Sequence, residues 1–153
     1  MQNETDNSQT QADNPNEQPP ARFIISEDGT EVTDNKTGLI WRRCPEGMTA
    51  CTDGCIGIPG TYNLADSLAL AKAEAKATDK AWRLPKVEEL ASIVDMSRRD
   101  PSIDTDIFPG TPGAPFFTAS PDGSLSWFVS FYIGKTFSEY SEIRSHVRLV
   151  RSS

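Results

Sequence analysis

The amino-acid sequence predicts an α+β domain with antiparallel sheets and two helices, carried behind a polar segment that does not join the fold. Three observations predict this: short β-type runs near the start of the domain, two segments of helical period in its middle, and aromatic β-type runs in its last third. Every Trp, Tyr and Phe lies after residue 21. These side chains are enough for one core that buries roughly two-thirds of the surface of the unfolded chain.

Residues 1–21 are predicted to form a disordered, acidic tether, followed by a single domain over residues 22–153. The first twenty residues contain four acidic and no basic side chains, and they lack any aromatic residue, Leu, Ile or Val. Such a segment cannot offset its ordering entropy by burial. Its composition is typical of the spacer after a removed secretory or lipoprotein signal. We therefore expect an extracytoplasmic protein, periplasmic or at the cell surface, with a lipid anchor as one route of attachment.

The first structured part is predicted to be an antiparallel meander. Asp28-Gly29 and residues 35–38 provide turn signals between apolar and β-branched runs. The predicted strands span residues 23–25, 31–33 and 39–41.

Two helices are predicted next. Residues 64–78 place apolar or small side chains at helical spacing, and Asn63 is a suitable cap with Asp66 three positions on. Residues 81–84 favour a short buried strand, and a second helix is predicted from Val87 to near Met96.

The remainder is predicted as a long loop followed by strands. Four prolines and two glycines indicate a loop over residues 100–115, anchored to the core by Ile103, Ile107 and Phe108. A polar stretch over residues 135–145 separates the last two of three aromatic and β-branched runs. These runs predict strands at residues 116–118, 127–133 and 147–150.

The three cysteines lie close together in one polar loop, which indicates a disulfide rather than buried free thiols. One bond allows three pairings. Cys44 with Cys55 is favoured because it closes the whole loop, with a stabilisation of about 3 kcal/mol from chain entropy. Cys51 would then be free.

Five motifs in order resemble one known family. They are DNKTGLIWRRC at residues 34–44, WRLP at 82–85, EEL at 88–90, Phe108-Pro109, and VRLVR at 147–151. Together they resemble the C-terminal domain of the Legionella collagen-like adhesin, a domain of bacterial surface proteins and lipoproteins. That family is similar to the formylglycine-generating-enzyme branch of the C-type-lectin-like fold.

The resemblance implies a C-type-lectin-like fold in which the chain ends pair and long loops gather on one side. It also supports the Cys44–Cys55 bond, because the family typically has a second cysteine before a Tyr-led helix, here ahead of Tyr62. Cys51 departs from the pattern. The oxidase activity of the related branch needs two cysteines in the carboxy-terminal half, and none follows Cys55.

Composition argues against other classes of function. With a net charge of -7 and no basic run, the chain lacks the basic surface that binding to nucleic acid requires. No stretch approaches the roughly 18 apolar residues of a transmembrane segment. The single histidine, His146, is expected at a strand edge rather than in a catalytic pair, so no enzyme activity and no catalytic residue are predicted.

No cofactor or metal site is predicted, with a structural calcium ion as the weaker alternative. One histidine and three clustered cysteines do not supply two spaced pairs of zinc ligands. Carboxylates of the kind that hold calcium surround the Pro-rich loop, but their spacing equally suits turns and helix caps. They are Asp95, Asp100, Asp104 and Asp106.

The structural residues are expected among the tryptophans and arginines. Trp41, Trp82 and Trp127 lie inside apolar patterns and are expected in the core. Arg83, Arg148 and Arg151 are expected to be structural, and an arginine of the last strand is expected to pair with acidic residues near the meander or the second helix.

The candidate binding surface is the stretch from Tyr132 to His146, where aromatic and cationic residues are mixed with small polar ones. An ordinary polar hairpin is the alternative. The predicted ligand-binding residues are Tyr132, Lys135, Phe137, Tyr140, Arg144 and His146. The predicted function is an adhesin-like recognition module of the bacterial envelope that binds a glycan or a surface protein. The alternatives are an accessory subunit of a pilus-associated or lipoprotein assembly, and an enzyme of unknown reaction.

Overall fold

The computed structural model describes residues 20–153, and it has the predicted α+β architecture of three antiparallel sheets and two helices. All but the last two residues of the predicted tether lie outside the described part. No helix within residues 20–153 is both long and apolar enough to cross a membrane.

The meander is confirmed as part of a four-stranded sheet. Its strands are β1 (Phe23–Ile25), β2 (Glu31–Asp34) and β3 (Leu39–Arg42), and the fourth is β9 (Val150–Ser152). The order is β1-β2-β3-β9, so the expectation that the chain ends pair is wrong. β9 pairs with β3 because Trp41 and Val150, directly opposite each other, are both fully buried there.

The first helix is confirmed as α1 (Leu64–Thr78), and the Asn63 side chain accepts a 2.8 Å hydrogen bond from the Asp66 amide. The second, α2 (Val87–Ala91), is shorter than predicted. After Ser92, whose carbonyl accepts a hydrogen bond from Arg22, the helix gives way to turns in which the amides of Ile93 and Val94 donate to carbonyls three positions back. The predicted strand over residues 81–84 is only a single bridge between Arg83 and Val150.

The last third forms a sheet in the order β6-β7-β8. Its strands are β6 (Pro115–Asp122), β7 (Leu125–Ser130) and β8 (Lys135–Glu139). β8 lies in the stretch that was expected only to separate strands. The predicted strand over residues 147–150 is wrong except at its last residue. The carbonyls of Val147 and Leu149 instead accept isolated hydrogen bonds from the amides of Glu46 and Arg42.

A small hairpin inside the cysteine loop completes the sheets. It consists of β4 (Thr49–Cys51) and β5 (Gly54–Ile56). The apolar pattern did not predict it, although Asp53-Gly54 is a common hairpin turn signal.

The core lies on both faces of the β6-β7-β8 sheet. Adjacent residues of β6 point to opposite faces, so Phe116 belongs to one apolar cluster and Phe117 to the other. The first cluster also contains the loop residues Ile103 and Phe108, which confirms their predicted role as anchors, with Ile107 packed against it. Burial of each such side chain contributes about 1.5–3 kcal/mol.

Candidate interaction surface

The structure does not bring the six predicted binding residues together on one face. Tyr132 lies in the turn before β8, and Tyr140 follows β8 directly. The five residues of β8 separate these two exposed side chains by roughly 17 Å of extended chain. Lys135 is exposed at the Tyr132 end, whereas Arg144 and His146 lie beyond Tyr140.

Phe137 is directed into the protein. Its ring stacks on Phe128 with centroids 5.4 Å apart and planes 14° from parallel, and it packs against the second core cluster. This side chain therefore holds β8 to the core, where a ligand has little access to it.

His146 is half-buried and fastens two segments of chain. Its Nδ1 lies 2.9 Å from the carbonyl oxygen of Gly60, and its ring packs 5.4 Å from that of Phe116. Burial lowers the pKa of the imidazole below 6.5, and the hydrogen bond to Gly60 opposes that effect. Because a carbonyl oxygen only accepts hydrogen bonds, Nδ1 carries a proton and donates it to Gly60.

Residues 56–62 and 140–146 are joined by hydrogen bonds between residues 60–62 and 144–146, and we call the two segments the loop rim. The main chains of Tyr62 and Ser145 exchange two 2.8 Å hydrogen bonds. The Arg144 guanidinium donates to the carbonyl of Thr61, and the Leu64 amide at the start of α1 donates to Ser141. The loop rim is therefore a single hydrogen-bonded unit, although its two halves are far apart in sequence.

The loop rim exposes large apolar side chains. Ile58 is 83% exposed and Tyr140 is 62% exposed. Ile56 and Ile143 are also among the exposed large hydrophobic residues of the described chain. The sequence pattern pointed to Tyr140 and Arg144 but gave no sign that the isoleucines before Tyr62 would join them.

The disulfide fixes the first half of the loop rim. Cys44 and Cys55 are bonded, as predicted, with Cα atoms 5.8 Å apart. Cys55 lies in β5 next to Ile56, and the Gly60 amide donates a 2.9 Å hydrogen bond to the Glu46 carbonyl. Cys51 is free and half-buried.

The family of the chain follows from a family profile that matches most of its length. The profile of the Lcl C-terminal domain matches residues 30–151. The chain belongs to the Lcl C-terminal domain family. Neither a curated protein nor a solved structure matches the chain. The family is adhesin-related, and with the disulfide it indicates an extracytoplasmic location. The C-type-lectin-like arrangement stays a prediction.

The Lcl C-terminal domain is held together behind the loop rim by a buried arginine. Arg148 is fully buried and donates to the carbonyls of Arg42 and Arg43 and to the hydroxyl of Thr111. Its guanidinium lies 5.0 Å from the centroid of Phe108. Burial lowers the pKa of Arg148 to about 9, while the nearby Glu46 carboxylate opposes that effect. We call this set of contacts the Arg148 junction.

The other two arginines form ion pairs, and that of Arg151 confirms the pairing expected for the last strand. Arg83 binds Glu89 of α2 through the two terminal nitrogens of its guanidinium group, at 2.8 and 2.9 Å. Arg151 binds Glu31 of the meander at 3.0 Å. Both arginines therefore stabilise the fold. The arginine of the loop rim is Arg144.

Two of the four carboxylates around the Pro-rich loop, Asp95 and Asp104, are engaged in turns. Asp95 accepts hydrogen bonds from the amide and hydroxyl of Ser97, and Asp104 accepts one from the Asp106 amide. Arg98 pairs with both Asp95 and Asp104. Within residues 20–153, no group of three or more His, Cys, Asp or Glu side chains is arranged to hold a metal ion.

Two shallow apolar grooves lie away from the loop rim. Trp41 and Trp82 are buried as predicted, but Trp127 is only half-buried and lines a cavity of about 250 Å³ between α2 and the sheet. A larger groove of about 450 Å³ runs along α1 and has Leu68 and Trp82 in its lining. Their linings are mainly apolar, like the exposed side chains of the loop rim.

Proposed function

We propose that this domain is a non-catalytic recognition module of the bacterial envelope that binds a glycan or protein ligand through the loop rim. The observation that carries the proposal is that two segments joined by hydrogen bonds each expose two large apolar side chains. These side chains are Ile56, Ile58, Tyr140 and Ile143. The adhesin-related family supports a role at the cell surface.

Exposed apolar groups that lie near one another mark interaction sites. Here Ile58 lies two positions after Ile56, and Ile143 lies three positions after Tyr140. The loop rim is also preorganised. The disulfide, the Tyr62–Ser145 bonds and the His146–Gly60 bond all restrain it before a ligand arrives. A restrained surface loses less conformational entropy when it binds, so more of the contact energy appears as affinity.

The chemistry of the loop rim favours a protein ligand over a glycan. Isoleucine side chains gain most from an apolar partner surface, which proteins offer more readily than sugars do. Tyr140 and Arg144 suit either ligand, because a tyrosine ring stacks on apolar faces and a guanidinium forms charge-assisted hydrogen bonds.

The surroundings of His146 favour binding over catalysis. Its Nδ1 is occupied by the Gly60 carbonyl, and one face of the ring is packed near Phe116. A general base must reach a substrate proton or a nucleophile, and the contacts of His146 serve the architecture of the loop rim instead.

The proposal is tested by applying the full chain to an array of purified glycans and surface proteins, with and without calcium. The wild-type chain should retain a discrete ligand. A variant with Ile58→Ser, Tyr140→Ala and Ile143→Ser should lose at least about tenfold in affinity, the range expected for central apolar contacts.

A matched control is Ile24→Ser on β1, since Ile24 is 53% exposed but lies outside the loop rim. It should bind as the wild type does. The proposal would be contradicted if the wild type bound nothing on the array. It would also be contradicted if the triple variant and the control lost affinity equally. Copurification of the chain with an envelope complex, without an array ligand, would favour an accessory subunit.

A further inference from the structure

The outer side of β8 is an open sheet edge. In the same sheet, the outer side of β6 is covered, because Phe117 donates to the carbonyl of His146 and Ala119 donates to that of Pro85. β8 is the last strand of the order β6-β7-β8, and no main-chain group of residues 20–153 pairs with its outer side. An unpaired edge is a template for another strand.

The pairing pattern identifies which groups point outward. The Phe117 amide points away from β7, so Phe117 and Phe128 form a non-hydrogen-bonded pair. The main chain of Phe128 therefore points toward β8 and bonds its partner there, Phe137. Bonded and non-bonded pairs alternate. The amides and carbonyls of Thr136 and Ser138 are consequently directed out of the sheet.

The sequence of β8 is complementary to itself. Lys135 and Glu139 lie two positions on either side of Phe137, and neither takes part in an ion pair with any residue of the described chain. In an antiparallel pairing of two β8 strands centred on Phe137, Thr136 of each copy lies opposite Ser138 of the other. Lys135 of each copy then lies opposite Glu139 of the other, which gives two attractive cross-strand pairs.

We propose that β8 pairs with β8 of a second copy, so that two domains form a two-fold dimer with one continuous six-stranded sheet. Charged residues on an edge strand usually prevent such pairing. Here they have opposite signs at symmetric positions, so the same charges attract in a two-fold arrangement.

The flanks of β8 add to the proposed contact. Tyr132 and Tyr140 are exposed at its two ends, and the groove beside Trp127 opens next to Thr136. A stable interface buries about 1,200 Å² or more in total, which a five-residue strand alone does not reach. The dimer therefore needs these aromatic flanks, and it should be concentration-dependent. It goes beyond the proposed function, because it would present two loop rims on one particle.

Sedimentation velocity of the full chain over a range of concentrations, without any ligand, tests the dimer. The wild type should dimerise. Lys135→Glu and Glu139→Lys each place like charges opposite one another and should raise the dissociation constant by roughly tenfold or more. An equal mixture of these two variants should dimerise again, and so should the double variant that exchanges both charges.

A main-chain variant is the second test. Thr136→Pro removes an outward-pointing amide without removing a bond between β7 and β8, so it should abolish dimerisation, while Thr136→Ala should keep it. A wild type that stays monomeric at every concentration would overturn the proposal. So would a dimer that survives Lys135→Glu and Glu139→Lys unchanged, or a mixture of the two that stays monomeric. Array binding does not enter either test, so the loop-rim proposal stands or falls separately.

Discussion

Two arginines four positions apart illustrate the division between the Arg148 junction and the loop rim. Arg144 and Arg148 both donate to main-chain carbonyls, of Thr61 in one case and of Arg42 and Arg43 in the other. Arg148 is fully buried, whereas Arg144 is exposed. The same chemistry therefore fixes the interior in one place and a surface loop in the other. Substitutions at the Arg148 junction should therefore lower the stability of the fold, whereas substitutions at the loop rim should change ligand binding.

The largest effect is expected at the Arg148 junction. Arg148→Met leaves the carbonyls of Arg42 and Arg43 and the hydroxyl of Thr111 without a donor in a buried place. The free energy of unfolding should fall by about 3 kcal/mol or more, measured by urea denaturation. Arg144→Met is the control and should cost less than about 1 kcal/mol. Equal losses in the two variants would erase the distinction.

The disulfide should have the next largest effect. Replacing both Cys44 and Cys55 by Ser removes a closure of 11 residues and should lower the free energy of unfolding by about 3 kcal/mol. Cys51→Ser should change it by less than about 0.5 kcal/mol, because that thiol is free. A comparable loss from Cys51→Ser would mean that another pairing carries the stability.

His146 should give a smaller, pH-dependent effect. Burial depresses the pKa of its imidazole in the folded chain below 6.5, so its contribution to stability is complete above pH 6.5 and is lost as the pH falls through the folded-state value. His146→Gln should lack this part of the pH dependence. Urea denaturation of both proteins between pH 5 and pH 8 measures the difference. Parallel curves would contradict the lowered pKa.

The smallest effect on stability is expected at the loop rim. Ile58 is 83% exposed, so Ile58→Ser should change the free energy of unfolding by less than about 0.5 kcal/mol. Ile103→Ser, at a fully enclosed position of the first cluster, is the contrasting variant and should cost several times more. A large loss from Ile58→Ser would mean that this residue supports the fold.

The sequence predicted the elements whose formation depends on residues that lie close together in the chain. α1 was predicted over its full length because the Asn63 cap and the helical spacing agree. The meander was predicted because its turn residues separate clear β-type runs. β8 was missed because Phe137 is its only apolar residue. That ring stabilises the strand through its contact with Phe128 in a neighbouring strand, which the local sequence does not show.

Only the second half of the loop rim lies within the stretch that the sequence analysis put forward as a candidate binding surface. The assembly of the loop rim depends on contacts between Arg144 and Thr61, 83 positions apart, which no local pattern encodes. The half-burial of Trp127 also differs from the prediction, because its ring lines the groove between α2 and the sheet. The disulfide was predictable, since three cysteines in one short loop leave few pairings and the family resemblance favoured the one observed.

The central claim is that the loop rim is the binding surface, and hydrogen–deuterium exchange of the full chain with and without its array ligand tests it most directly. Binding should slow amide exchange in residues 56–62 and 140–146, and it should leave the grooves along α1 and beside Trp127 unchanged. Slowed exchange confined to either groove, with the loop rim unaffected, would contradict the claim.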